Sequence, residues 1–396
     1  MRLLFVSTAF PQPGDPARAP YNLRLCEALA EHHAVRVISP VSWTKARAGA
    51  PRPSTPVPVD YPTFLYPPGV LRSTHAWWLW RALRTAAAGV LAQGRPDAIV
   101  SYWTWPDGAA AARLARACVV PAIMIVGGSD VLVRGTHGRN RRRIARTLQQ
   151  ADAVITVGPQ LADAVAALGV QPARISVVPR GVDRQVFSPG RQASARRRLG
   201  LPPFGSLLLW VGRLCAVKGP DLLLDALEPH ARRGLRWHCA IVGDGPMRRE
   251  LQRRVEGGAL RDSVSFVGTL PPVRLADWYR AADAVVLSSR SEGVPNVVYE
   301  ARACGTPVVA MNAGDVAQAM DRNDWLVPAG DVDALAAALC DAMARPRLSR
   351  PPAALPTWQD SAAALARIIE RVVRAVPGTS APAAPALRPA STTRRA

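Results

Sequence analysis

What most constrains this chain is a rhythm of short, apolar, β-branched runs, each followed by a polar or glycine-rich turn and then a helix-like stretch. In the first half the runs fall at Arg2–Ser7, Val35–Ser39, Ala98–Tyr102, Pro121–Val126, Ala153–Val157 and Ile175–Val178. The second half restarts the rhythm at Leu207–Val211, Cys239–Val242, Val264–Val267, Ala284–Leu287 and Val308–Ala310, with helices beginning near Pro220, Pro246, Pro272 and Pro295. Alternating βα units of this kind build doubly wound α/β sheets. Two such series in 396 residues predict two βα domains with a cleft between them.

The expected first domain covers residues 1–187 and the second 188–375, with polar, Arg-rich Ser188–Pro203 as their connection. Trp358–Val373 reads as a closing helix able to return to the first domain, and the Pro/Ala/Ser/Thr-rich residues 376–396 read as a disordered tail. Within the first domain, Phe10–Pro20 and Ala50–Pro68 are expected loops. Tyr21–Glu31, and the stretch from Trp77 to about Gln93, are expected helices.

Composition removes several function classes. The six cysteines are scattered, with no C-x-x-C pair, which argues against a zinc site and against a disulfide framework and fits a reducing cytoplasm. No signal peptide is read at the N-terminus, and no apolar run approaches the roughly 20 residues that would span a bilayer. The formal charge of +21 is carried mostly by arginine. It admits a solvated basic surface, an anionic substrate, an anionic membrane face or nucleic acid, and the last ranks lowest because no nucleic-acid module accompanies it. Arg134, Arg139, Arg141, Arg142, Arg143 and Arg146 form a basic cluster that could meet anionic headgroups at the inner face of the plasma membrane, or simply be solvated.

The chemistry concentrates at strand exits. Between the runs Ala284–Leu287 and Val308–Ala310 lies a loop and short helix, Ser291 to Pro307. Pro295 suits a first helical turn, Gly305 suits a left-handed end, Glu292 falls in the loop and Glu300 in the helix. A helix start at the carboxyl end of a strand favours an anion. After Leu207–Val211 comes Gly212-Arg213-Leu214-Cys215-Ala216-Val217-Lys218-Gly219, two cations beside glycines, which suits a pyrophosphate although it is not a Walker loop. Gly243-Asp244-Gly245-Pro246 adds a tight turn at the next strand exit. Asp331-Val332-Asp333 resembles a metal-binding D-x-D, but Asp331 reads better as a helix N-cap, and no metal site is expected. In the first domain, Gly127-Gly128-Ser129-Asp130 offers a ligand-facing carboxylate at a strand exit. The tryptophans of Trp103-Thr104-Trp105 read either as packing or as an acceptor groove.

Val178-Pro179-Arg180-Gly181-Val182-Asp183, Val211-Gly212-Arg213 with Lys218-Gly219, Val242-Gly243-Asp244-Gly245-Pro246, Phe266-Val267-Gly268, and Glu292-Gly293 through Glu300-Ala301 follow one another in the order seen in glycosyltransferase family 4. The chain resembles that family over about residues 1–375, most densely over 178–335. The resemblance implies a GT-B fold, two facing Rossmann-like doubly wound domains, and retaining, metal-independent transfer from a nucleotide-diphosphate sugar that is a substrate rather than a cofactor. It implies that Arg213 and Lys218 clamp the diphosphate, that Glu300 takes the ribose hydroxyls, and that Glu292 with the backbone of Gly293, Val294, Pro295, Asn296 and Val297 holds the sugar. Gly243 and Gly268 join the donor site, and Glu292, Asp130, Arg213 and Lys218 are the expected catalytic group. Gly128, Asp130, Trp103 and Trp105 are acceptor-side candidates.

Three positions differ from the family pattern. Gly127 stands where His-Gly-x-Asp is common, Ala313-Gly314-Asp315-Val316-Ala317 where Gly-Gly-x-x-Glu is common, and Ala19-Pro20 near a usual glycine. The leading expectation is a glycosyltransferase acting on a lipid-linked or saccharide acceptor in envelope or exopolysaccharide synthesis. The alternatives are a catalytically impaired nucleotide-sugar-binding relative and a basic polyanion-binding protein.

Overall fold

The computed structural model describes residues 1–16, 18–46, 49–67, 72–133, 135–136, 138–231, 236–345 and 355–375. The chain divides into two compact units, Met1–Pro179 joined by the chain from Trp358 on, and Arg180–Thr357.

The first unit carries strands β1 (Arg2–Val6), β2 (Ala34–Ile38), β3 (Val41–Ser42), β4 (Val59–Asp60), β5 (Thr63–Phe64), β6 (Ala98–Tyr102), β7 (Ala122–Ile125), β8 (Ala153–Thr156) and β9 (Ile175–Val177). Its helices are α1 (Pro20–Ala30), α2 (His75–Ala92), α3 (Ala109–Cys118), α4 (Ser129–Leu132), α5 (Gly138–Leu148) and α6 (Pro159–Ala166). The order β4-β2-β1-β6-β7-β8-β9 makes a seven-stranded sheet whose pairs are all parallel, while β3 and β5 pair separately. Successive side chains of a strand point to opposite faces. Phe5, Val100 and Ile123 therefore join one core with α1, while Leu4, Val6 and Ile99 join another with α2 and α3.

In the second unit the order is β12 (Val264–Gly268), β11 (Trp237–Val242), β10 (Ser206–Val211), β13 (Ala284–Leu287), β14 (Val308–Met311) and β15 (Trp325–Val327), again all parallel. Its helices are α7 (Gln192–Leu199), α8 (Pro220–Ala231), α9 (Arg248–Glu256), α10 (Pro272–Ala281), α11 (Asn296–Ala303), α12 (Val316–Ala319) and α13 (Val332–Ala344). The closing helix α14 (Trp358–Ala375) buries Ala362, Leu365, Ala366 and Ile369 against α1 and the sheet of the first unit.

Two expectations about the connection are corrected. The boundary falls after Pro179, not after residue 187. Arg280 donates to the carbonyls of Val186 and Ser188 at 2.8 Å, and Phe187 packs edge-on against Tyr279, so this stretch is tied to α10 of the second unit. Nor is Ser188–Pro203 merely a connection. It contains α7, whose buried Arg196 pairs with Asp283 at 2.7 Å. The Ala50–Pro68 loop likewise holds β4 and β5. Residues 376–396 and Arg134 lie outside the described residues.

Asp331 caps α13 by accepting the Ala334 N–H at 2.9 Å. Among the described residues no cluster of His, Cys, Asp and Glu suits a metal ion, and no helix is long and apolar enough to cross a membrane.

Candidate functional site

Each sheet reverses its strand order near the middle, at β1/β6 and at β10/β13. The chains leaving two such strands depart in opposite directions, and the crevice this opens at the carboxyl ends is where doubly wound sheets bind ligands. In the second unit the flanking loops are Gly212–Gly219 and Ser288–Pro295.

These loops are fastened to each other. The buried indole of Trp210 donates to Ser288 Oγ at 3.1 Å, and Ser288 Oγ donates to the Gly219 carbonyl at 2.6 Å. The Arg290 N–H donates to Val217 O at 2.9 Å, and its guanidinium spans both oxygens of Asp221 at 2.8 and 2.6 Å. Gly219 adopts φ 60° with its α-carbon against the Ser288 carbonyl, where a Cβ would overlap it. Gly243, at φ 134°, makes the same close approach to the Gly212 carbonyl and donates to Gly268 O at 2.8 Å. Only glycine meets both demands without strain.

Within this frame Lys218 Nζ donates to both carboxylate oxygens of Glu292, at 2.6 and 2.8 Å, and Ser289 Oγ adds a bond to Oε1 at 2.6 Å. Glu292 is buried, and the cation compensates the cost of taking its charge out of water. The pair is neutral. The net positive charge of the β10 loop therefore comes from Arg213, which is exposed and has no side-chain partner among the described residues.

Helix α11 begins at Asn296. Pro295, at ψ 120°, stands just outside as the N-cap rather than in the first turn. No side chain caps this end; the Val298 N–H turns back to the Pro295 carbonyl at 3.1 Å, and the helix dipole favours negative charge before the amides of Asn296 and Val297. Arg180 Nη1 donates to Asn296 Oδ1 at 3.3 Å. At the other end Gly305 takes the left-handed φ of 72° that its sequence position implied.

Glu300 lies one turn into α11. Tyr279 Oη donates to its Oε2 at 2.7 Å, while Oε1 has no partner among the described residues. Burial pushes the Glu300 carboxyl up to about 7, partly opposed by the Tyr279 hydrogen bond. The Tyr279 phenol is raised well above its ordinary value, first by burial and then by the adjacent carboxylate.

In the first unit the expected ligand-facing carboxylate is corrected. Asp130 is fully buried and points inward, accepting the Thr104 N–H at 2.9 Å, Thr104 Oγ1 at 2.8 Å, and the amides of Gly127 and Gly128 at 3.1 and 2.9 Å. It fastens the β6 exit to the β7 exit and leaves a ligand nothing to hold, so its place is architectural rather than in the expected catalytic and acceptor groups. Burial raises its carboxyl above the usual range against the opposing bonds from Thr104. Gly128, at φ 109°, forms the turn itself.

Trp103 and Trp105 flank this knot. A Cβ on Gly127 would strike the Trp103 ring and the Tyr102 hydroxyl, so the indole fills the space a side chain at 127 would need. Trp103 holds φ 84°, unusual for a residue with a side chain. Trp105 lies under the guanidinium of Arg143, 4.8 Å from its ring centre, which engages one arginine of the basic cluster. Ala19 takes φ 45°, the left-handed conformation that the usual glycine would adopt without strain. Asp315 is buried and accepts from Gln318 Nε2 at 3.3 Å, while Ala317 is exposed on α12.

Sequence reasoning missed Asp107. It is fully buried and accepts both the N–H and the hydroxyl of Thr8, joining the β6 exit to the β1 exit. Burial pushes its carboxyl up to about 6. Its place in Trp105-Pro106-Asp107-Gly108 looks like a surface turn, and no local signal marks it as buried. Ser288, Ser289, Arg290 and Trp210 were missed too. For these a signal existed, since polar residues directly after the run Ala284–Leu287 must face either a ligand or the neighbouring loop.

Comparison with known proteins agrees with this geometry. The family described as Glycosyltransferase Family 4 matches residues 19–186, and Glycosyl transferases group 1 matches residues 205–345. A D-inositol 3-phosphate glycosyltransferase from Xylanimonas cellulosilytica is 31% identical over 391 residues, covering 90% of this chain and 92% of the relative. Several other proteins of that name are matched over less than half of their own length, as with one from Catenulispora acidiphila, 39% identical over 218 residues, 51% of this chain and 48% of the relative. The fold is that of sucrose-phosphate synthase from Thermosynechococcus elongatus, with TM-score 0.80 at 23% identity over 95% of this chain and 100% of that one. It is also that of Anabaena HepE in complex with UDP and glucose, with TM-score 0.69 at 20% identity over 94% and 97%. Two doubly wound units, the ordered motifs of the second and a full-length relative together show that the chain belongs to glycosyltransferase family 4 and has the GT-B fold.

Proposed function

We propose that this protein is a retaining glycosyltransferase that takes its sugar from a nucleotide diphosphate, with UDP as the carrier, and passes it to a hydroxyl of a saccharide or lipid-linked acceptor in envelope or exopolysaccharide synthesis. The observation that carries the reading is the division of charge at the β10/β13 switch point. Arg213 is an uncommitted cation, the Lys218–Glu292 pair is neutral, and the start of α11 carries no side-chain cap. Solved structures of the same fold hold UDP and UDP-glucose, which supports the choice of carrier.

In this reading Arg213 and the α11 amides meet the diphosphate and stabilise the charge that grows on it as the sugar departs. Preorganised donors of that kind are worth about 2.7–4 kcal/mol each to a transition state. Lys218 reaches the phosphate from its Glu292 partner, whose carboxylate then turns its second oxygen to the sugar hydroxyls. Glu300 offers Oε1 to the ribose while Tyr279 holds Oε2. No metal is required by this scheme, because the cations and the helix start supply the positive charge.

The test is donor turnover across UDP-, GDP- and ADP-sugars with and without saccharide acceptors, for the wild type and for Glu292→Ala, Glu300→Gln and Arg213→Ala. Wild-type turnover of a UDP-sugar, lost in all three variants, with the thermal midpoint unchanged in Arg213→Ala, is the expected result. Turnover that survives Arg213→Ala combined with Lys218→Ala contradicts it. One observation favours a second reading, a binding protein without transfer activity. The Trp103 ring fills the space beside Gly127, where family members commonly carry an imidazole. UDP-sugar binding without hydrolysis or transfer would support that alternative.

A further inference from the structure

The donor scheme uses Arg213 and Lys218 and gives Arg180 no task. Arg180 opens the second unit in the turn Arg180-Gly181-Val182-Asp183, and the chain beside it is pinned. Buried Val182 forms a parallel bridge with Thr357 and donates its N–H to the Pro356 carbonyl at 2.9 Å. The Asp183 carboxylate accepts the amides of Gln185 and Val186 at 3.1 and 3.3 Å. The partly exposed Arg180 side chain therefore starts from a fixed backbone. It reaches α11, where Nη1 donates to Asn296 Oδ1 at 3.3 Å, a partner 116 positions away in sequence.

The part of α11 that Arg180 meets is open. Val298, Tyr299, Ala301 and Ala303 are buried, whereas Asn296, Val297 and, one turn on, Glu300 stay partly exposed. Residues four apart lie one above the other on a helix, so Asn296 and Glu300 share a face. The guanidinium is thus bonded about one turn, 5.4 Å along the axis, from the carboxylate assigned to the ribose. Its charge is felt along the helix: burial raises the Tyr299 phenol, and Arg180 is among the cations that oppose the rise. Lys218 holds Glu292 at one end of the segment Glu292–Asn296, and Arg180 holds Asn296 at the other. Cations therefore anchor both ends of the stretch assigned to the donor.

A nucleoside diphosphate carries its phosphates next to the ribose. With the ribose on Glu300, a cation one turn nearer the start of α11 lies on the side of the phosphates. A neutral hexose gives a guanidinium no charge to meet, while a phosphoryl group offers oxygens that match its planar fork. We propose that Arg180 is a further cation of the donor site, donating to the diphosphate from the α11 side while Arg213 and Lys218 approach from the β10 loop. Asn296 Oδ1, a neutral acceptor, holds the guanidinium in place for the stronger one. The inference rests on the donor reading and adds to it a residue outside the Arg213–Lys218 loop.

The experiment is calorimetric titration of UDP and UMP into the full chain, as wild type, Arg180→Gln, Arg180→Lys and Asn296→Ala. Arg180→Gln keeps an amide able to bond Asn296, and its thermal midpoint is expected to match the wild type. It should bind UDP at least about tenfold more weakly and lose less for UMP, with Arg180→Lys recovering part of the loss. Asn296→Ala should cost less than about threefold, because the bond it removes is not to the ligand. Equal UDP affinity for Arg180→Gln and the wild type overturns the proposal, and leaves the donor reading standing where Arg213→Ala still weakens UDP. A loss of equal size in Asn296→Ala also overturns it, making Arg180 a prop for α11. So does a loss seen only with a UDP-hexuronate, which would move the guanidinium to the sugar. A wild type that binds no UDP overturns the donor reading, and this inference with it.

Discussion

The two switch points share a topology and use their carboxylates in opposite ways. At β1/β6, Asp107 and Asp130 are wholly buried, and among the described residues their hydrogen-bond donors are amides and threonine hydroxyls of adjoining loops. Both are pushed toward the neutral acid by burial. At β10/β13, Glu292 is held by a partly exposed lysine, and Glu300 keeps one oxygen unclaimed. A carboxylate saturated by backbone donors fastens loops, because displacing its partners would leave buried amides unpaired. One held by a mobile cation, or with capacity to spare, can exchange partners for a ligand. Burial alone does not separate the two roles; the chemistry of the partner does.

The largest test of that contrast is Asp130→Ala. It strands the Thr104, Gly127 and Gly128 amides and should cost about 3–5 kcal/mol of stability, read as a lowered denaturation midpoint. Nucleotide binding by the folded fraction should be unchanged. Next in size, Arg213→Ala should lower kcat/KM for donor turnover about 100- to 1000-fold while leaving the thermal midpoint in place, because the side chain is exposed and unpartnered. Removing the cation of the buried pair by Lys218→Met should destabilise by about 2–3 kcal/mol. The double variant Lys218→Met/Glu292→Gln should regain part of that, since the loss comes from stranding a buried charge.

A smaller effect distinguishes Glu300 by pH. Its folded value of about 7 lies above the ordinary carboxylate range, so the folded protein holds a proton that the unfolded chain releases. Stability should therefore fall as pH rises from the ordinary carboxylate value to about 7 and then level off. Nucleotide affinity should move the other way, weakening by up to about tenfold per unit as pH drops below that value, if ribose is held by the ionised form. Calorimetric titration across pH checks this, and Glu300→Gln should flatten the profile. Smallest of all, Ala19→Gly should relieve the left-handed strain before α1 and raise stability by up to about 1 kcal/mol.

Much of the scaffold was legible because parallel strands buried on both faces are apolar throughout. The eleven runs read from sequence correspond to strands within one or two residues at their ends. The strands that escaped, β3, β4, β5 and β15, are two or three residues long and carry no periodic signal. Helix α7 escaped because Gln192-Ala-Ser-Ala-Arg-Arg-Arg-Leu199 is mostly polar and owes its burial to the Arg196–Asp283 pair, which sequence cannot show. At the site, the motifs located Arg213, Lys218, Glu292 and Glu300 but not their relations. Lys218 and Glu292 are 74 positions apart, and Tyr279 reaches Glu300 from another helix. Asp130 was located correctly and its direction misread, since a strand-exit carboxylate can turn either way and only the Thr104 and glycine donors decide.

The central claim is that the β10/β13 switch point holds a nucleoside diphosphate through Arg213, and that the β1/β6 carboxylates do not. Its most direct test is a calorimetric titration of UDP into the wild type, Arg213→Ala and Asp130→Asn at one pH and salt concentration. The account predicts that Arg213→Ala binds at least about tenfold more weakly while Asp130→Asn, once folded, binds as the wild type does. Equal UDP affinity for Arg213→Ala and the wild type, or a loss confined to Asp130→Asn, would contradict it.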